Sequence, residues 1–161
     1  MDHTQLAVDL YHQQAMLVRA HLSDFSEAEM VFRPAPAANH AAWQLGHLSC
    51  ALVSLIHAVS PGAMPALPED FVRRHGRDGA QLNEGFDSRE QLLDRLDEVN
   101  DSAIEWVRGL NDAEKSNPTP EHLRGLAATT GHMVYALPLH TMMHIGQFQV
   151  IRRALGKPVL F

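Results

Sequence analysis

The sequence holds one cysteine, Cys50, among its 161 residues. A single thiol excludes an internal disulfide and any Cys-rich zinc site, and a reducing cytoplasm is the simplest setting for it. Basic residues are also scarce. Thirteen Lys and Arg stand against 19 Asp and Glu, giving a net charge of −6 with neutral histidines. No basic run offsets that balance, so no nucleic-acid partner is expected. Apolar runs are short, and none approaches the ~18–20 residues that span a bilayer, so no membrane partner is expected either. The opening residues, Met1-Asp2-His3-Thr4-Gln5, have neither the positive stretch nor the apolar stretch of a signal peptide. Internal repeats, low-complexity tracts and strand-like alternation are missing too. The remaining composition, 45% apolar and 20% charged, suits one domain over residues 1–161 with a real core.

Helical periodicity is plentiful. From Asp2 to His21 there is no Gly or Pro, and Leu6, Leu10, Gln14, Leu17 and His21 form one stripe, widened by Tyr11 and Val18. His12 and His21 read as surface or rim histidines on this first helix. Pro34-Ala35-Pro36 then forbids a continuous helix, although Ser26 with Glu29 has the capping-box pattern for a short turn. Asn39 is the expected N-cap of a second helix, His40 to Val59, which is apolar almost all round and therefore expected to be buried on most sides. Pro61 to Pro68 ends it.

The stretch on to Asp87 reads as a long connection with one helical turn near Glu69 to Arg74. Its Arg73, Arg74 and Arg77 form a cluster read as solvated, though it could meet an anionic group. Ser88-Arg89-Glu90-Gln91 is a capping box for the third helix, Arg89 to about Leu110, whose stripe is Leu92, Leu96, Val99, Ala103, Val107 and Leu110. The last helix is expected from about Leu126 to Leu155, closed by Gly156-Lys157-Pro158. Pro138 inside it is expected to kink or break it just before His140. Four helices, with long connections between the first and second and between the second and third, predict an all-α four-helix bundle.

The chemistry lies in the histidines, of which there are 11. His140 and His144 are four residues apart, one helical turn plus about 40°, so both imidazoles leave the same face. Such a pair can chelate one divalent ion; the plainer reading is two ordinary helical histidines. His47 lies inside the apolar second helix, where an imidazole must find a hydrogen bond or a metal. Cys50, one turn on, reads as a structural thiol, and His57 as solvated. His132 is rotated roughly 80° from His140 and is a poor ligand; Tyr135 reads as a packing residue. Metal sites in bundles are built in the interior from facing helices. Three histidines from two helices leave coordination positions open, as in a catalytic rather than a structural site.

Two segments resemble a known family. Asn39-His40-Ala41-Ala42-Trp43-Gln44-Leu45-Gly46-His47-Leu48 is similar to the second-helix signature of the DinB-like proteins. His140-x-x-x-His144-Ile145-Gly146-Gln147, followed by Arg152-Arg153 and Leu155-Gly156-Lys157-Pro158, resembles their fourth-helix signature. The resemblance implies a metal site at His47, His140 and His144, commonly filled by zinc or nickel, and often a homodimer. It also implies kinship with bacillithiol- and mycothiol-dependent S-transferases and a maleylpyruvate isomerase.

The expected function is therefore metal-dependent transfer of a low-molecular-weight thiol to an electrophilic small molecule. The metal lowers the pKa of the thiol, so no protein cysteine is needed. The alternatives are a metal-dependent hydrolase and a non-catalytic metal-binding or stress-response bundle. Gln147, about one turn past His144, could orient that ligand; an amide bonded to backbone is an equal reading. Imidazole suits zinc, nickel, copper and iron alike, and neither the thiol nor the substrate is named by the residues.

Overall fold

The computed structural model describes residues 3–160. Four long helices form a bundle: α1 (His3–Leu22), α3 (Ala41–Val59), α5 (Arg89–Gly109) and α7 (Thr130–Ala154). Three short helices sit in the connections: α2 (Glu27–Met30), α4 (Glu69–His75) and α6 (Asp112–Ser116). Among the described residues there is no strand, only an isolated bridge between Pro118 and Thr129. Around the bundle, α1 packs on α5 and α7, and α3 packs on the same two helices. So α1 and α3 occupy opposite corners, a position the long first connection permits. One core unites the four, with Tyr11, Leu45, Leu48, Leu92, Met133 and Phe148 among its least exposed members.

The helix starts follow capping chemistry. Ser88 and Gln91 make the expected reciprocal capping box before α5, as do Ser26 and Glu29 before α2. Asn39 does not cap α3. His40 does: its Nδ1 accepts from the amide of Trp43 at 3.1 Å, while Nε2–H donates to the carbonyl of Leu82 at 2.9 Å. An imidazole can accept on one side and donate on the other, and Asn39 instead gives its carbonyl to the Gln44 side chain. The last helix begins at Thr130 rather than near Leu126, because residues before it pair elsewhere. Thr119 N–H donates to Ala128, and Thr130 N–H to Asn117, which leaves Thr129 to cap α7.

Pro138 does not break α7, which runs unbroken from Thr130 to Ala154. Proline removes one intrahelical hydrogen bond, and burial of Val134, Leu137 and Thr141 on the same helix outweighs it. The expected stop holds: Gly156 takes φ 71°, and Lys157 N–H reaches back to the Arg152 carbonyl at 2.9 Å. His21 is buried rather than at the rim, with Nδ1 2.7 Å from the Leu17 carbonyl, whereas His12 and His57 are exposed.

By length and composition α3 does reach the range of a membrane span, with mean hydropathy 1.3 over its most apolar window. The apolar runs looked too short because Gln44, His47, Ser49 and Ser54 interrupt them. Half of that window is buried against the other helices, the pattern of a core helix.

Candidate metal centre

The helices α3 and α7 bring His47, His140 and His144 together. Their ligand atoms all lie within 4.8 Å of one another. The ring centroids are 5.5 Å apart for His47 and His140, 5.3 Å for His47 and His144, and 4.9 Å for His140 and His144. Burial deepens along the set: His144 is buried, while His47 and His140 are half-buried at the edge of a cleft. The spacing between His140 and His144 follows from the helix repeat; the third member depends on α3 packing against α7.

Two of the rings are held by neighbours outside the cluster. The Nδ1 of His144 lies 2.8 Å from Oε1 of Gln44, which is itself buried on α3. An amide oxygen only accepts, so Nδ1 carries the proton and Nε2 keeps a free lone pair. The His47 ring is stacked on the Trp43 indole, with centroids 4.7 Å apart and planes 10° from parallel. Gln147, by contrast, is exposed, and the hydrogen bond expected of it is made by Gln44. Gln44 was missed in the sequence; an amide three residues before His47 in a largely apolar helix was the one local hint of it.

The site favours neutral imidazoles. Burial pushes His144 down to about 3, helped by the nearby His140 and His47 rings. His140 is lowered by burial and then by His47. Burial lowers His47 as well, opposed by the backbone of His75. Neutral imidazole is the form that binds a metal. A tetrahedral zinc site places ligand nitrogens ~3.4 Å apart, from Zn–N distances of ~2.0–2.1 Å, so small ring movements would close this cluster on an ion. The donor set, its protonation and the support from Gln44 all fit a divalent metal held by His47, His140 and His144.

A cleft of about 450 Å³ opens beside His47 and His140, between α3 and α4. Cys50 lines it, but burial pushes that thiol up to about 11, so it is protonated at neutral pH. On its far wall His75 is fully buried, with Nδ1–H donating to the Trp43 carbonyl at 3.2 Å. The ring lies so close over Gly46 that a Cβ there would collide with it. Tyr135 and His132 face a different cleft of about 370 Å³, near the start of α1 and α7, where the Tyr135 hydroxyl donates to the His3 carbonyl.

The DinB superfamily model matches residues 10–148, which include α3, most of α7 and all three histidines. The chain belongs to the DinB superfamily. Its fold is similar to that of a crystal structure of a conserved protein from Enterococcus faecalis, with a TM-score of 0.75. That similarity covers 98% of this chain and 99% of the other at 18% identity, which speaks to the fold alone. No curated protein matches the sequence. A three-histidine cluster in a DinB-superfamily bundle is compatible with metal binding.

Proposed function

We propose that this DinB-superfamily protein is a divalent-metal-dependent enzyme that joins a low-molecular-weight thiol to an electrophilic small molecule. The observation that carries the reading is that the histidine cluster opens onto a cleft: His47 and His140 are both part of its lining. A structural site would be closed by a fourth protein ligand, and no such ligand joins the three among the described residues. When bound, zinc or nickel would supply Lewis acidity and lower the pKa of a coordinated thiol.

The chain's own residues complete the arrangement. His47, His140 and His144 offer neutral nitrogens, and Gln44 fixes the tautomer of His144. Cys50 stays protonated and does not compete as a nucleophile, so the reactive thiol comes from outside. Val53, Leu67 and Val72 give the cleft apolar walls for the carbon skeleton of a small molecule. The hydrolase alternative fares less well, because no carboxylate stands among the residues lining the cleft to act as a base. A cytoplasmic setting and a homodimer belong to the same reading. Exposed Leu139, Met143 and Val150, spaced along α7, support a second copy as partner.

The test is metal content. Protein purified without an affinity tag, together with His47→Ala and His144→Ala, would be analysed by mass spectrometry and circular dichroism. One ion per chain in the wild type, lost in both variants with helicity kept, is the expected result. Thiol consumption with reactive electrophiles would then be assayed on the loaded protein. A wild type that is isolated metal-free and refuses zinc and nickel overturns the proposal.

A further inference from the structure

The cleft beside the histidines has one cationic side chain on its lining, Arg77. Several other arginines in the chain are committed. Arg74 pairs with Asp70 at 3.1 Å and Asp87 at 3.9 Å, Arg19 with three carboxylates of α5, and Arg152 with Asp24. Arg33 is spent on the carbonyls of Ala38, Ala80 and Leu82 and on Asn83. The guanidinium of Arg77 makes no hydrogen bond or ion pair among the described residues. Arg73 is uncommitted as well, but it lies among Glu69, Asp70 and Asp78, away from His47.

The backbone at Arg77 is held on both sides. Just before it, the Gly76 carbonyl accepts from Trp43 Nε1 at 3.1 Å, and His75 is buried against Trp43 and Gly46. Just after it, Gly79 packs so closely on the Arg74 carbonyl that no Cβ fits. The Arg77 carbonyl accepts from Ala80 N–H at 3.2 Å. Trp43 is also the residue stacked on His47. One side chain thus ties the backbone beside Arg77 to the histidine cluster. The same cleft is also lined by the apolar side chains of Val53, Leu55, Leu67 and Val72.

We propose that the cleft takes small carboxylate-bearing molecules, with Arg77 binding the carboxylate and the apolar surface taking the chain between it and the histidines. A planar guanidinium matches a carboxylate with two parallel hydrogen bonds. A single arginine suits a monoanion better than a phosphate, which gathers several donors. In a protein of net charge −6, an unpaired cation on the lining also favours an anion over its neutral analogue. This inference names the substrate class for the reading above and rests on it.

The test uses mercaptoalkanoates of three to six carbons against mercaptoalcohols of the same length. Binding would be followed by calorimetry and by NMR of the arginine side-chain N–H groups, on zinc-loaded and on metal-free protein. The acid is expected to bind about tenfold more tightly than the alcohol in both forms. Arg77→Gln should remove that preference while leaving the affinity for the alcohol and the zinc content unchanged. Arg73→Gln should leave the preference intact, and Arg77→Glu should favour the mercaptoalkylamine instead. A protein that refuses zinc but shows the preference, and loses it in Arg77→Gln, sinks the metal reading and keeps this one. Equal binding of acid and alcohol, a preference that survives Arg77→Gln, or no binding of either probe to either form overturns it.

Discussion

His144 Nδ1–H donates to Gln44 Oε1 at 2.8 Å across the contact between α7 and α3. Both side chains are buried, so neither can exchange this partner for water. The bond fixes which nitrogen of His144 is left to bind an ion. Hydrogen-bond partners that orient a metal ligand typically contribute 10–100-fold to affinity. Gln44→Met should therefore weaken zinc binding by about 10–100-fold, measured by competition with a chromophoric chelator, while α-helical content is unchanged. An affinity equal to wild type would show that Gln44 does not orient the ligand.

Gly46 is open to a second prediction. A methyl group there would meet the His75 ring, which is held by Trp43 and packed against Phe71 with centroids 4.4 Å apart. Overpacking of this kind costs about 1–3 kcal/mol. Gly46→Ala should lose that much stability in urea unfolding, and His75→Ala on the same background should recover part of it. Full additivity of the two changes would mean that the collision does not govern the loss.

The buried imidazoles make the metal-free protein acid-sensitive. Burial pushes His75 down to about 4 and His144 down to about 3. Below pH ~6.5 the unfolded chain binds protons that these folded rings refuse, so stability falls as pH drops. For His75 alone the difference amounts to on the order of 3 kcal/mol by pH 4. Urea midpoints from pH 7 to pH 4, in the presence of a chelator, should fall. The slope should be shallower in His75→Phe. A flat profile across that range would contradict neutral burial of these rings.

Arg152 is 2% exposed and binds both oxygens of Asp24, along with the carbonyls of His21 and Pro158. The guanidinium in turn holds the Asp24 carboxyl below the usual range. Removing the carboxylate leaves a buried cation short of its anion. Because Asp24 is 45% exposed on its side chain, water can partly replace it, and Asp24→Ala should cost about 2 kcal/mol rather than the upper values for buried pairs. Arg152→Met added to Asp24→Ala should recover stability in the same denaturation assay.

The bundle was legible because its evidence is local. The stripe on α5 and its Ser88 cap need only neighbouring residues, and the helix predicted over Arg89 to about Leu110 is observed over Arg89–Gly109. The spacing of His140 and His144 is equally local. Capping by His40 was not legible, since the imidazole is engaged by Leu82, more than forty residues away. The start of α7 was misplaced for a similar reason: Asn117 and Thr119 take up the backbone that would have extended it. Gln44 and Gln147 show the limit most plainly. Both are amides near a histidine in sequence, and only the packing of α3 on α7 decides which one faces His144. The continuity of α7 through Pro138 likewise depends on burial that a local rule does not see.

His40 has a consequence for the order of folding. Most helix caps come from the residues just before the helix, so the first turn forms with its cap already present. Here the capping ring is oriented by a carbonyl in the stretch beyond α4. The first turn of α3, which leads to Gln44 and His47, is thus secured only when that distant stretch arrives. Amides at the start of α3 and in the connection around Leu82 should open and close together in hydrogen exchange, as one cooperative unit. The scaffold under the histidines is then assembled late, by a contact that closes a long loop.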